Sequence, residues 1–309
     1  MEPAELDELV DLYQRAATHL SVIRTRSPDP VLVDSLSSLV TRARAATTGS
    51  ARVSAAGVGR FLRVDLPAAL YERRWWILGV AAGFIAIAVG FGAWIANDPK
   101  VAHTLVPAGR VRMLCDSEFA QYYRSHPASA FAAQVWTNNA LVAAMAIAFG
   151  GLLGIPTVLV LVSNAINVGV SGGYLATCGK TGEFFTLILP HGMLELTAVF
   201  IAGATGLRMG WRIIDPGPRR RGEALAQEGR AAGALAVGLV PVLAVSGLIE
   251  AFITPSHLPP WARLAIGGVA EVLMLLVILM LGRSARRAGA TGDLGRLDEV
   301  DLAPVAEPV

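Results

Sequence analysis

Charge is what this sequence has least of. Charged residues fill 16% of its 309 positions, while 54% are hydrophobic. A soluble domain has about a quarter of its residues charged, so the apolar surface here must face a solvent other than water. The net charge of +2 is too small to suggest binding to nucleic acid. The arginines instead form short clusters beside apolar runs, as membrane topology requires. Cysteine is nearly absent: Cys115 and Cys178 are the two in the chain, too few for a disulfide framework or a zinc site. The histidines number five, and His191 alone falls in an apolar run. His191-Gly-Met-Leu-Glu195 is not the two-histidine zinc helix of metalloproteases. Phosphate loops and dinucleotide fingerprints are missing, and no apolar run holds the aspartates an aspartyl intramembrane protease needs. The expectation is a protein that is not an enzyme, with no catalytic residue, metal or cofactor.

What is present is a series of long apolar segments behind a polar start. The first 73 residues are polar, so no secretory signal is expected, and the run opening at Trp75 is too long for one. Residues 1–72 read as a small cytoplasmic helical domain. Leu6, Leu9, Tyr13, Ala17 and Leu20 recur at helical spacing, as do Leu32, Leu36, Leu39, Val40 and Ala43 behind Asp29-Pro30. Phe61, Leu62, Leu66 and Leu70 share a face flanked by arginines, which predicts an interfacial helix on the inner membrane surface.

A crossing takes about 20 residues. On that measure the membrane domain, 73–283, has six spans at about 75–96, 138–153, 156–176, 185–209, 231–253 and 261–281. The apolar stretch 138–176 suffices for two helices if Gly154-Ile155-Pro156 is a tight turn, with proline in the first turn of the second. Residues 97–137 form an outer segment, and 284–309 a disordered cytoplasmic tail. Arg208, Arg212, Arg219, Arg220, Arg221 and Arg230 flank the loop between spans four and five, and Arg283, Arg286 and Arg287 follow span six. These clusters fall on one side only with six spans. The positive-inside rule then puts both termini in the cytoplasm and the protein in the cell (inner) membrane. A single span plus a re-entrant piece over 138–176 would break that parity. The fold class is all-α: a polytopic membrane helical bundle in contact with lipids.

Glycines pair at four-residue spacing, at Gly79 and Gly83, Gly150 and Gly154, Gly169 and Gly173, Gly206 and Gly210. Such pairs serve close helix packing inside one chain or the interface of a homo-oligomer. Polar groups inside the spans are few and costly. They are Asn138 and Asn139 in span two, Asn164 and Asn167 in span three, His191 and Glu195 a turn apart in span four, Glu250 in span five, and Arg263 and Glu271 in span six. With this topology most of them converge on the outer half of the membrane, with Glu195 able to pair with His191 and Glu250 with Arg263. Helix-to-helix glue, a polar cavity that binds or passes something, and catalysis are the three open roles. Cys115 and Cys178 both fall outside, where a disulfide or two free thiols remain open.

The stretch Leu189-Pro-His-Gly-Met-Leu-Glu195-Leu, continuing to Ala202-Gly-Ala-Thr-Gly-Leu207-Arg-Met-Gly210, resembles the signature of the stage II sporulation protein M family. Trp136-Thr-Asn138-Asn139 is similar to that family's asparagine pair, and Leu248-Ile-Glu250-Ala-Phe-Ile-Thr-Pro255 to its glutamate-threonine-proline element. Leu12-Tyr13-Gln-Arg15 and Leu39-Val-Thr-Arg42-Ala resemble the cytoplasmic part of longer members. Ala165 after Asn164 departs from the family's glycine. The resemblance implies an integral membrane protein of the cell envelope. The founding member of the family joins two peptidoglycan-degrading proteins in a complex during engulfment and is treated as its scaffold. It also implies protein partners of that kind, without implying sporulation.

Overall fold

The structure is a computed structural model describing residues 3–26, 30–47, 55–98 and 128–290. Among these, every regular element is helical. The chain divides into two compact units, Met1–Gly59 and Arg60–Val309.

In the first unit α1 (Pro3–Arg26) and α2 (Pro30–Thr47) pack against each other. Tyr13 and Ala17 are half-buried and Leu20 is buried, so these three members of the predicted stripe of α1 point inward. On α2 the inward face runs through Val33, Leu36, Val40 and Ala43, while Leu32 and Leu39 are exposed. Two short helices bury too little apolar area for more.

The second unit follows α3 (Ala55–Arg60). A π-helical turn, Phe61–Asp65, leads into α4 (Leu66–Glu72), and α5 (Arg74–Asn97) begins almost at once. Of the segment expected to lie on the membrane surface, Phe61–Asp65 buries no residue, while the second half is sunk into the bundle. Pro67, Ala68, Ala69 and Leu70 are buried, Leu66 covers Gly238, and Pro67 and Tyr71 close on Gly282. The division of the chain accordingly falls before this segment and not after residue 72. Beyond residue 127 come α6 (Ala128–Ala148), α7 (Ile155–Thr177), α8 (Thr181–Ile214), α9 (Arg221–Leu248), α10 (Pro260–Leu276) and α11 (Gly282–Arg287). α9 and α10 each run on through a π-helical turn, Ile249–Ile253 and Val277–Leu281.

Five helices among the described residues are long and apolar enough to cross a membrane: α5, α7, α8, α9 with its continuation, and α10 with its continuation. α8 is the axis of the bundle, touching α5, α6, α7, α9 and α10. Half of its apolar window is buried, against 6% for α5. One core joins Ala69, Leu70, Ala143, Ala198, Ile201, Leu235 and Leu239. A second joins Val80, Phe84, Leu161, Ala165, Val199 and Phe200, with Phe84 and Phe200 edge to face at 5.2 Å. The alanines and glycines let backbones meet where lipid offers no hydrophobic drive.

The link between α6 and α7 is a 3₁₀ turn, Phe149–Gly151, closed by Leu153 (φ 59°) and Gly154 (φ 74°) in the left-handed region. Pro156 sits in the first turn of α7, where its missing N–H costs nothing. A side chain at Gly150 would strike the backbone of Gly206, and one at Gly210 that of Leu153 and Gly154, so this turn is seated directly on α8.

Of the segments expected outside the spans, 99–127 and 291–309, covering most of the outer segment and the disordered tail, lie outside the described residues.

Candidate functional site

Two buried polar centres occupy the bundle. The first ties its arginine-rich end together. Glu228 on α9, with a side chain 5% exposed, accepts hydrogen bonds from Arg73 and from Arg208 Nε at 2.8 Å. Arg208 also donates to Glu72, and Arg212 Nε lies 3.5 Å from Glu228. Burial lowers the pKa of Arg73 from its ordinary value, and the neighbouring carboxylate of Glu228 opposes that shift. Five side chains from α4, the α4–α5 junction, α8 and α9 thus share one ion-pair network, with Arg73 and Glu228 at its buried centre and Glu72 and Arg212 at its half-exposed edge. Sequence reasoning took the arginines as topology markers and passed over Glu72 and Glu228. The available signal was two carboxylates set among arginines at the ends of apolar runs.

The second centre is the one the intramembrane polar residues foreshadow. Pro190 sits within α8, fully buried, and α10 presses against it. A side chain on Gly267 would strike the Pro190 backbone. One residue on, His191 points into the bundle and is 4% exposed. Its carbonyl accepts from Ser246 Oγ on α9 at 2.8 Å. The π-helical turn at Ile249–Ile253 widens the end of α9, and Glu250 and Thr254 both reach His191 from it. Such turns recur at functional sites. The Thr254 hydroxyl donates to the Ile249 carbonyl at 3.4 Å, so at 3.2 Å it accepts the Nδ1–H of His191. That fixes the tautomer and presents Nε2 to Glu250 Oε1 at 3.8 Å. Glu195, a turn further along α8, lies beside Asn139 of α6 and Ser246. One donor atom from each of His191, Glu195 and Glu250 lies within 4.8 Å of the others.

The remaining sequence candidates are placed around this triad or away from it. Arg263 does not pair with Glu250; it donates to the Thr254 carbonyl at 2.8 Å and so braces the same turn from α10. Glu271 accepts from Thr197 at 2.8 Å, a separate pair between α8 and α10. Asn138 and Asn167 are exposed and Asn164 is half-buried, and none of the three hydrogen-bonds to the triad. Gly169-Val-Ser171-Gly-Gly173 has the spacing of a serine nucleophile elbow, yet it lies inside α7. Ser171 Oγ is bound back to the Asn167 carbonyl at 2.9 Å, so the strand-to-helix turn that exposes such a serine is lacking. Cys178 is disulfide-bonded; the chain's other cysteine, Cys115, lies outside the described residues.

Two apolar grooves run beside α5. One, about 480 Å³, is lined by Trp75, Gly79, Gly83, Phe84, Val158 and Leu161 among others. The second, about 310 Å³, lies between Val89, Gly92 and Gly172, Phe185. Neither is lined by the triad.

Fold and site define a multi-pass α-helical membrane protein with a histidine–carboxylate centre buried where two of its spans meet. The family model described as Stage II sporulation protein M matches residues 81–255, more than half of the chain, and the protein belongs to that family. A second model, described as a domain of unknown function, matches residues 1–49. An uncharacterized protein of Methanocaldococcus jannaschii is 27% identical over 124 residues, covering 39% of this chain and 69% of that protein. No solved structure matches the chain.

Proposed function

We propose that this protein is a non-enzymatic scaffold of the cell envelope that gathers partner proteins, such as peptidoglycan-remodelling factors, at the inner membrane. One observation carries the reading: among the described residues, α5 is a span left mostly uncovered. Side chains added at Gly79, Gly83 or Gly90 would meet nothing within 4 Å. Trp75, Leu78, Ile85 and Val89 stand exposed along the same helix. A glycine-lined groove of this kind fits a transmembrane helix of a partner, because close backbone approach is what holds helices together in lipid. Family membership supports the same reading.

In this proposal α6 is the sixth span, since its 21 residues extend about 31 Å and match the hydrocarbon core. Both termini are then cytoplasmic, and docking on the soluble side falls to α1 and α2. The test is photo-crosslinking in cells from a reactive residue at position 83. Adducts with wall-remodelling proteins or their regulators, lost on Gly79→Trp, are expected. Recovery of the same partners from the Gly79→Trp chain would overturn the reading.

The buried triad favours a second reading, a transporter or channel-like protein that uses the polar cluster. It expects proton- or solute-dependent flux in proteoliposomes that His191→Ala abolishes. No flux across a broad panel of solutes would dismiss it.

A further inference from the structure

Glu250 has an electrostatic problem that the described residues around it do not solve. Glu250 is 3% exposed, and its Oε2 has no hydrogen-bond partner. Its Oε1 faces the ring nitrogen of His191 at 3.8 Å, beyond hydrogen-bonding distance. Arg263 donates from one guanidinium nitrogen to the Thr254 carbonyl and does not pair with Glu250. A second carboxylate, Glu195, completes the group with a donor atom within 4.8 Å of both others. Leaving a carboxylate oxygen buried without a partner in a membrane interior is expensive.

We infer that His191, Glu195 and Glu250 form a binding site for a divalent first-row transition cation, of the Zn²⁺, Mn²⁺ or Fe²⁺ class. Donors about 2.0–2.2 Å from one ion lie about 3–4 Å apart, so the three need only a small contraction to share one. Two carboxylates and a neutral imidazole balance a dication exactly in charge, which is what a low-dielectric site demands. An imidazole with two carboxylates selects transition metals over Ca²⁺ or Mg²⁺, which prefer all-oxygen shells. The supporting shell is already built. Thr254 holds the His191 tautomer through Nδ1, as metal-bound histidines require, while Ser246 fixes the His191 backbone and Asn139 stands beside Glu195. The ion would pin α8 to the π-helical end of α9 from inside the membrane.

The inference goes beyond the scaffold reading and is tested without it, on the purified chain. The full-length protein, isolated through a tag free of histidine, is analysed for metal content and titrated with Zn²⁺, Mn²⁺ and Co²⁺ after chelator treatment. About one equivalent per chain is expected, with a rise in Tm on adding metal and a Co²⁺ absorption spectrum showing mixed nitrogen and oxygen ligation. Glu250→Gln removes the equivalent. Thr254→Val keeps the ligands but weakens affinity about 10–100-fold. Glu271→Gln, a carboxylate outside the triad, leaves binding unchanged. Background metal in the wild type with no Tm response to any of the three ions would overturn the inference. So would equal loss in Glu271→Gln, which would place the ion elsewhere.

Discussion

Arg73, Arg208 and Glu228 are each nearly closed off from solvent, and their charges survive burial because they meet in one hydrogen-bonded group. Removing one member strands the others. Glu228→Gln is therefore expected to cost about 3–5 kcal/mol, the loss seen when a buried pair is broken on one side, read as a lower Tm in detergent. Glu228→Gln combined with Arg73→Met should recover part of that loss, since fewer charges are then stranded. Asp65 poses the reverse case. Burial raises its pKa above the ordinary carboxylate value, and Arg60 only partly opposes this. A carboxyl with a raised folded-state pKa destabilises the fold once ionised, so the penalty is absent well below the ordinary carboxylate pKa and grows as pH rises from there to the raised one. Asp65→Asn should raise Tm at about pH 7 and match the wild type below about pH 3, where the aspartate is neutral in both folded and unfolded chains. These groups were only partly legible. Arginines beside apolar runs announce a membrane boundary, but nothing local to Glu72 or Glu228 reveals that the fold brings them together. His191, Glu195 and Glu250 were legible as costly intramembrane groups. The nearness of His191 to Glu195 followed from their spacing, but Glu250 was expected at Arg263 and instead faces His191 from the π-helical turn that ends α9.

At the scale of elements, glycines of similar spacing have different work. Gly206 lies where α6 and α7 close on α8, and a side chain there would collide with the Ala146 carbonyl. Gly79 faces open space on α5. Gly206→Val should lower Tm sharply or prevent recovery of folded protein, while Gly79→Val should leave the Tm of the isolated chain unchanged. Equal effects at the two positions would contradict this packing. The apolar runs and the Gly154-Ile155-Pro156 turn were readable because length, a left-handed glycine and a following proline are strong local signals. The burial of α4 was not. An apolar face bordered by arginines suits a membrane surface and a groove between helices equally well, and the choice is made by Gly238 and Gly282, far along the chain.

For the whole molecule, α8 acts as a post with the other spans arranged around it, while α5 closes one side and offers its outer face to the membrane. The two buried polar centres lie inside the bundle and the exposed apolar face of α5 lies outside it, the arrangement on which the proposed scaffold role rests. Its orientation can be tested separately. Thiol labelling of single cysteines placed in the 215–220 loop and at 256–258 should mark the first from the cytoplasm and the second from outside, and the opposite result would invert the proposed topology. The scaffold claim itself is met most directly by photo-crosslinking in living cells from position 83 on α5. The account predicts discrete adducts with envelope-remodelling membrane proteins that vanish when Gly79 becomes tryptophan. Adducts with lipid alone, or with the same partners in both chains, would contradict it.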